Sequence, residues 1–223
     1  MRRRLGSAVR TVVVGIAAPW LPASVALAQT TVNESWAELD VYYSLPSTDF
    51  RLFGMSQVAR GLETDSRQLT LGIHVDYLPH SWIVWRVVYR WLRSISEPFS
   101  PPEERALGEV AVRRRVQKFA IRNRTRLELR WIAGEPSQRW RDQIRVDREV
   151  ALSESRRLYP YATFELYWDS RYHALSRSAY RVGADLVMNR TLTFDLSYAR
   201  QDNRFGSPRH VNAIWPRVEL RYW

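Results

Sequence analysis

The sequence predicts an all-β protein, an antiparallel transmembrane β-barrel of 10 to 12 strands that follows a cleaved signal peptide. Three observations predict this fold. The chain opens with a basic and then apolar segment, its later segments alternate apolar and polar residues over about ten positions, and aromatic residues gather where those segments end. With 223 residues, the chain is long enough for one domain.

The composition excludes several classes of protein. The chain has no cysteine, which excludes a disulfide framework and a thiolate metal site. It carries 34 Lys and Arg against 23 Asp and Glu, a net charge of +11 that would ordinarily suggest a nucleic-acid partner. Four of the arginines lie in a predicted signal peptide, and many of the others share strand faces with acidic residues. These positions argue against nucleic acid as a partner.

The first 28 residues have the order of a secretory signal peptide. Arginines at the start precede the apolar stretch Thr11 to Leu21, and small residues end at Ala28. Pro19 and Pro22 interrupt the stretch, which is also too short for a membrane-spanning helix. We therefore expect cleavage after Ala28 and a barrel domain over 29–223. Removal of four arginines leaves 30 basic and 23 acidic residues, a net charge of +7.

Period-two alternation dominates the rest of the chain. In Arg122 to Trp131, arginines and Glu128 occupy one face, while Leu127, Leu129 and Trp131 occupy the other. Phe50 to Arg60 and Glu109 to Lys118 are mixed on both faces. The clearest other segments are Ala37 to Leu45, Gln68 to Tyr77, Ile83 to Trp91, Ala162 to Trp168, Tyr180 to Met188, Leu192 to Tyr198 and Val218 to Tyr222.

Alternation alone fits two arrangements, a soluble periplasmic barrel with its apolar face inside and an outer-membrane barrel with that face outside. The strand length of about ten residues favours the membrane barrel, because a tilted strand needs that length to span a bilayer. Trp and Tyr at strand ends favour it too, since such residues form girdles at the headgroups. The soluble periplasmic binding protein remains an alternative.

The strand count follows from the turns. Eleven segments can be found, but single-chain bacterial barrels have an even number of strands. Twelve strands, with a short one before Ser35, are preferred; ten result if Glu103 to Val116 is a helix. Counting back from Trp223 places Gln201 to His210, Ser170 to Arg177 and Arg93 to Arg105 on the outer side. The turns at Asn189-Arg190 and Pro79-His80-Ser81 lie on the periplasmic side.

The polar face of the strands predicts a charged interior. A basic stripe comprises Arg122, Arg124, Arg126, Arg130, Arg139, Arg141 and Arg145, and its acidic partners include Glu38, Asp40, Asp76, Glu128, Glu165, Asp185 and Glu219. In a narrow lumen these groups can form ion pairs that fill the barrel. Alternatively, the excess arginine selects small anionic solutes.

An enzymatic alternative depends on histidine. His74 shares its face with Asp76, which could orient the imidazole of a lipid hydrolase or deacylase. No motif places a serine beside it. We therefore expect no enzyme, no catalytic residue, no metal site and no cofactor.

Tyr222 and Trp223 end the last alternating segment, an arrangement typical of the signal that the barrel assembly machinery reads. The expected partners are this machinery, outer-membrane lipids and lipopolysaccharide.

The sequence resembles the domain-of-unknown-function 2490 family of bacterial outer-membrane barrels. Short motifs that span nearly the whole mature chain carry the resemblance, and the Arg-x-Arg-x-Glu-x-Arg strand is the most specific. These motifs are Ser35-Trp36-Ala37-Glu38, Asn123 to Arg130, Trp140-Arg141, Phe164-Glu165, Asp169 to Tyr172, Arg181-Val182-Gly183 and Tyr198 to Gln201. The resemblance implies an outer-membrane barrel and adds no catalytic residue.

Overall fold

A computed structural model describes residues 31–97 and 99–223. The predicted signal peptide, 1–28, lies outside the described residues. The elements are all strands: β1 Thr31–Ser44, β2 Phe50–Gly61, β3 Arg67–His80, β4 Ile83–Ser94, β5 Glu103–Val116, β6 Phe119–Ile132, β7 Glu135–Arg148, β8 Val150–Ala151, β9 Arg157–Asp169, β10 Ala174–Val187, β11 Leu192–Asn203 and β12 His210–Tyr222. No helix in the described ranges has the length and apolar character needed to cross a membrane.

The strands close into a barrel. Eleven of them form the wall, each hydrogen-bonded to its neighbours, and the two-residue β8 pairs only with the start of β9. The predicted all-β barrel is confirmed. Glu103–Val116 is strand β5, so the helix alternative is wrong. No separate strand precedes Ser35 in the described part of the chain, because β1 runs unbroken from Thr31.

The odd number of wall strands gives the barrel one parallel seam. Since β1 and β12 run in the same direction, Thr31 pairs with His210 at one end and Tyr43 with Tyr222 at the other. The expected even number of strands is therefore wrong for the wall of the barrel, which has eleven strands. The ladder skips from Ser35↔Ile214 to Glu38↔Arg217, and the skipped stretch contains Pro216, which has no N–H to donate.

The connections divide between two rims. Rim A carries Thr31 and the connections 62–66, 133–134, 170–173, 204–209 and that from β4 to β5; rim B carries 45–49, 81–82, 117–118, 149–156 and 188–191. The three predicted long connections share rim A, and the predicted turns at Pro79 to Ser81 and Asn189-Arg190 share rim B. Length alone does not separate the rims, because the long connection 149–156 lies at rim B and the tight turn 133–134 at rim A. A two-residue turn joins β6 to β7, with positive φ angles of 53° at Ala133 and 84° at Gly134, the backbone that a tight hairpin requires.

Side chains alternate across the wall as the sequence predicts. On β3, Leu71, Ile73 and Val75 point outward and are 43%, 68% and 44% exposed, while His74 and Asp76 point inward and are buried. The mixed face of Phe50 to Arg60 arises because Phe53 and Met55 also point inward, where they form a small apolar cluster with Tyr42. The interior of the barrel is thus mainly charged, with an apolar part near β1 and β2.

Candidate functional site

The barrel interior is built from rows of inward side chains that the strand register places side by side. One row crosses β2 to β7 and reads Arg51, Asp76, Arg86, Glu109, Arg126 and Arg141. Its signs alternate over five strands, so each carboxylate lies between two arginines. Asp76 accepts Arg86 Nε at 2.5 Å and Arg51 Nη2 at 2.6 Å, and Glu109 accepts Arg126 Nη2 at 2.5 Å.

Glu128 is the centre of the largest group of ion pairs. Its side chain is fully buried and accepts Arg139 Nε at 2.6 Å and Arg141 Nη1 at 2.7 Å, with Arg126 Nη1 at 3.6 Å. Arg141 also donates to Glu165 at 2.9 Å, and Arg124 reaches the same carboxylate at 3.0 Å. These contacts join β6, β7 and β9 through shared charges, as the planar guanidinium of arginine permits.

A second group of ion pairs links β7, β10, β11 and β12, and a hydrogen bond from Tyr161 joins β9 to it. Asp185 accepts Arg145, and Arg217 Nη2 lies 3.2 Å from the same carboxylate. Asp195 accepts Arg181 Nη2 and the Tyr161 hydroxyl, each at 2.7 Å. The interior is therefore ion-paired around most of its circumference.

The predicted basic stripe and acidic partners all point into the interior. Three acids differ in their contacts. Glu38 accepts Gln57 Nε2 at 2.7 Å and Trp215 Nε1 at 3.2 Å, and Asp40 has Arg217 no closer than 3.8 Å. Glu219 pairs with Arg221 on its own strand. Sequence reasoning could place these acids on a face but could not assign their partners.

Three inward arginines have no carboxylate partner among the described residues: Arg90, Arg122 and Arg177, the last of which donates Nε to Asn203 Oδ1 at 2.6 Å. Arg90 and Arg122 each have a buried Nε without a hydrogen-bond partner. Arg122 lies in register between Arg113 on β5 and Arg145 on β7, so three cations stand side by side. Asp147 and Asp185 accept Arg113 and Arg145, which leaves the middle cation unneutralised.

Two cavities enter the barrel from opposite rims. The rim A cavity has a volume of about 600 Å³ and is lined by thirteen arginines and five carboxylates. The rim B cavity is about 970 Å³, with ten arginines and five carboxylates. Six residues belong to both walls, and we call them the waist: Tyr42, Arg86, Arg122, Arg124, Arg145 and Arg217. Both cavities are cationic, and five arginines line both of them.

Comparison with known proteins places the chain in a family. Residues 33–212 match the family described as Protein of unknown function (DUF2490). The chain belongs to the DUF2490 family. The resemblance predicted from its motifs is therefore confirmed. Among solved structures, LpxR from Salmonella typhimurium is similar, at 11% sequence identity and a TM-score of 0.49, covering 77% of this chain and 83% of that chain. No curated protein matches.

The interior of this DUF2490 member does not support the role considered for His74. Asp76 gives its oxygens to Arg51 and Arg86, and both ring nitrogens of His74 are buried without a hydrogen-bond partner in the described residues. The ring lies edge-on to Phe53, with centroids 4.1 Å apart. The alternative in which Asp76 orients His74 does not match these contacts, because alternation places both on one face but Arg51 and Arg86 take the carboxylate.

Sequence reasoning missed one histidine with a carboxylate partner. His210 Nδ1 lies 2.7 Å from Asp202 Oδ1 at rim A, on the outward side of β11 and β12. Arg200 Nε donates to the same oxygen at 3.0 Å. The register that pairs Asp202 with His210 across the β11–β12 hairpin would have been the signal. No group of three or more metal-ligating side chains occurs in the described parts of the chain.

The apolar part of the rim A cavity was also missed. Trp36 and Trp215 lie edge to face, 5.1 Å between centroids, and Ala199, Val211 and Ala213 complete a buried cluster.

Tyr222 and Trp223, the predicted assembly signal, are 47% and 65% exposed at rim B. Tyr222 continues the outward apolar face of β12, and Trp223 follows the strand.

Proposed function

We propose that the protein is an outer-membrane barrel that provides a narrow, anion-preferring pathway through its interior. One observation carries this proposal. Cavities from the two rims share a waist with five arginines, and Arg122 there has no carboxylate partner among the described residues. An unneutralised cation at a constriction attracts anions and repels cations, as rings of charged side chains do in channels.

The outward face supports placement in a bilayer. Ile73, Val87 and Leu196 are 68%, 68% and 62% exposed on the outside of the wall. In water such a continuous apolar surface would promote association, whereas in lipid it is the expected contact surface of a barrel. The same exposure argues against the soluble periplasmic alternative. Outer-membrane lipids and lipopolysaccharide are the partners that this surface would contact.

A carboxylate also lies in the middle of the outer face, away from the rims. Asp142, at the middle of β7, points outward and accepts Thr125 Oγ1 at 2.7 Å and Asn123 Nδ2 at 3.0 Å. These hydrogen bonds offset part of the cost of a carboxylate near lipid. This polar site on the outer face is thus confined to β6 and β7, and its carboxylate has hydrogen-bond donors on the neighbouring strand.

Planar-bilayer recordings of the purified, folded barrel test the pathway. Under a KCl gradient we expect a reversal potential that indicates chloride preference. Arg122→Glu should reverse or abolish the preference, because it places an acid at the waist. The matched control is Arg60→Glu on the outer face of β2, which should leave the preference nearly unchanged. A folded barrel that does not conduct, or that prefers cations, overturns the proposal; the first result would mean that the ion pairs close the lumen.

We also propose that the protein is not a lipid hydrolase. The buried ring of His74 supports this part of the proposal, since it lacks both a carboxylate and a neighbouring hydroxyl in hydrogen-bond contact among the described residues. Incubation with phospholipid and with lipopolysaccharide should release no fatty acid. Release that His74→Ala leaves intact and His210→Ala removes would contradict the proposal and place the chemistry at rim A.

The assembly machinery is proposed as a partner through Tyr222 and Trp223. Removal of Trp223 should lower the amount of folded barrel in outer-membrane fractions.

A further inference from the structure

The rim A cavity has two chemically different walls. One wall comes from β1, β2, β11 and β12 and carries apolar side chains with Glu38, Asp40 and Gln57 among them; we call its apolar members, Trp36, Phe53, Met55, Ala199, Val211 and Trp215, the apolar wall. The other comes from β4 to β7; we call Arg90, Arg105, Arg126, Arg130, Arg139 and Arg141 the arginine wall. A pathway for small inorganic anions requires cationic side chains, but it does not require tryptophan, phenylalanine and methionine side chains along one wall.

Arg90 stands where the two walls meet. The strand register aligns Met55 on β2 with Gly72 on β3, and Gly72 with Arg90 on β4. A Cβ added to Gly72 would lie 2.9 Å from Met55 Cγ and 3.2 Å from Arg90 Cγ, so the two side chains converge above the glycine. The absence of a side chain at Gly72 thus leaves room for Met55 of the apolar wall and the aliphatic stem of Arg90 to lie close together, beside His74 Nε2.

The arginine wall is neutralised beside Arg90, at Arg105 and Arg130, but not at Arg90 itself. Glu103 accepts Arg105 Nε at 2.7 Å and Arg130 Nε at 2.6 Å. Within residues 31–97 and 99–223, no carboxylate pairs with Arg90, whose Nε is buried without a hydrogen-bond acceptor. A buried cation without a partner is costly, and an anionic group of a ligand would remove that cost.

We propose that the rim A cavity binds an amphipathic anion, with its anionic group on Arg90 and its flat apolar body against the apolar wall. The proposal rests on the proposed function and names its substrate class. A cavity of about 600 Å³ accommodates a small organic molecule of this kind. Aromatic rings gain affinity by burying their area against Trp36, Phe53 and Met55. Neither an inorganic anion nor a neutral aromatic compound would use both walls.

Three probes separate the contributions of the two walls. Calorimetric titration of the full mature barrel in phosphatidylcholine nanodiscs would use 1-naphthyl phosphate, inorganic phosphate and 1-naphthylmethanol, with empty nanodiscs as the blank. We expect 1-naphthyl phosphate to bind at least about tenfold more tightly than either of the other two, since a charge-assisted hydrogen bond and the buried ring each contribute.

Two variants test the two walls independently. Arg90→Gln should weaken 1-naphthyl phosphate about tenfold and leave 1-naphthylmethanol within about twofold. Met55→Gln should weaken 1-naphthyl phosphate several-fold and leave inorganic phosphate unchanged, and it keeps the proposal testable if Arg90→Gln fails to fold. The control is Arg60→Gln, which removes an arginine from the outer face of β2 and should change nothing.

Three results would overturn the inference: equal affinity for phosphate and 1-naphthyl phosphate, 1-naphthyl phosphate binding that neither variant weakens, and no binding of any probe. Reversal potentials of the same purified protein in planar bilayers separate this outcome from failure of the proposed function. A barrel that prefers anions but does not distinguish the probes retains the function and loses the site. A barrel that does not conduct but binds 1-naphthyl phosphate through Arg90 retains the site and loses the pathway.

Discussion

Glu128→Gln should destabilise the barrel by about 3 kcal/mol, within the range found when one partner of a buried ion pair is removed. Glu128 is fully buried and is the carboxylate that accepts Arg139, whose side chain is 7% exposed. Arg141 keeps Glu165 at 2.9 Å, and Arg126 keeps Glu109 at 2.5 Å, so neither is left unpaired. The loss therefore falls mainly on Arg139. The glutamine carbonyl can still accept one hydrogen bond, which places the expected value at the lower end of the range.

Urea titration of the barrel folded in lipid vesicles measures this loss, with the folded fraction read from its heat-modifiable migration on gels. The matched control is Glu149→Gln at rim B. That side chain is 35% exposed and lies 3.5 Å from Arg115 and 3.4 Å from Arg157, so its loss should cost less than about 1 kcal/mol. Equal effects of the two substitutions would refute the reasoning.

A double variant checks that the cost comes from an orphaned cation. Adding Arg139→Gln to Glu128→Gln should recover part of the lost stability, because it removes the charge left without a partner. If the two substitutions simply add, the two side chains do not interact in the way that the contacts indicate.

Three further predictions use the same titration. Val87→Arg on the outer face should cost about 2 to 4 kcal/mol if that face meets lipid, whereas Leu62→Arg in a rim A connection should stay within about 0.5 kcal/mol; equal costs would place Val87 outside the bilayer. Gly183→Ala should lower the free energy of unfolding by about 1 to 3 kcal/mol, because its Cβ would lie 2.4 Å from Ser197 Cβ. Gly108→Ala is the control and should leave the free energy of unfolding unchanged, since its Cβ would have no atom within 4 Å. A Gly183→Ala barrel of unchanged stability would contradict this packing. His74→Leu should gain about 1 kcal/mol, since it removes two buried nitrogens without partners, and a loss of that size would mean that the ring has a partner.

Much of the fold could be predicted because period-two alternation is a local property. The alternation of β3, β4 and β6 assigned each side chain to a face, and the structure agrees at Leu71, Val87 and Arg126. The mixed pattern of β2 was harder, because Phe53 and Met55 point inward in a mainly charged interior. The parity rule for barrels misled the count, since nothing local in β1 or β12 shows that the closing pair is parallel.

The candidate site was predictable as a set of residues but not as a set of contacts. Arg122 and Arg126 are equivalent in the sequence pattern, because they lie four residues apart on the same inward face of β6. The register of β5 and β7 then gives Arg126 a carboxylate neighbour, Glu109, and gives Arg122 two arginines instead. Likewise, His74 and Asp76 share a face, but Arg51 and Arg86 on the adjacent strands take the carboxylate.

The sequence by itself determined that strands would form and which side of each strand is polar, because a strand alternates its side chains regardless of its neighbours. Only the tertiary structure decided which charges meet, because a partner on the next strand is set by register and by the closure of the barrel. That closure separates the arginines that ion pairs neutralise from Arg90 and Arg122, the two that the proposed functions use.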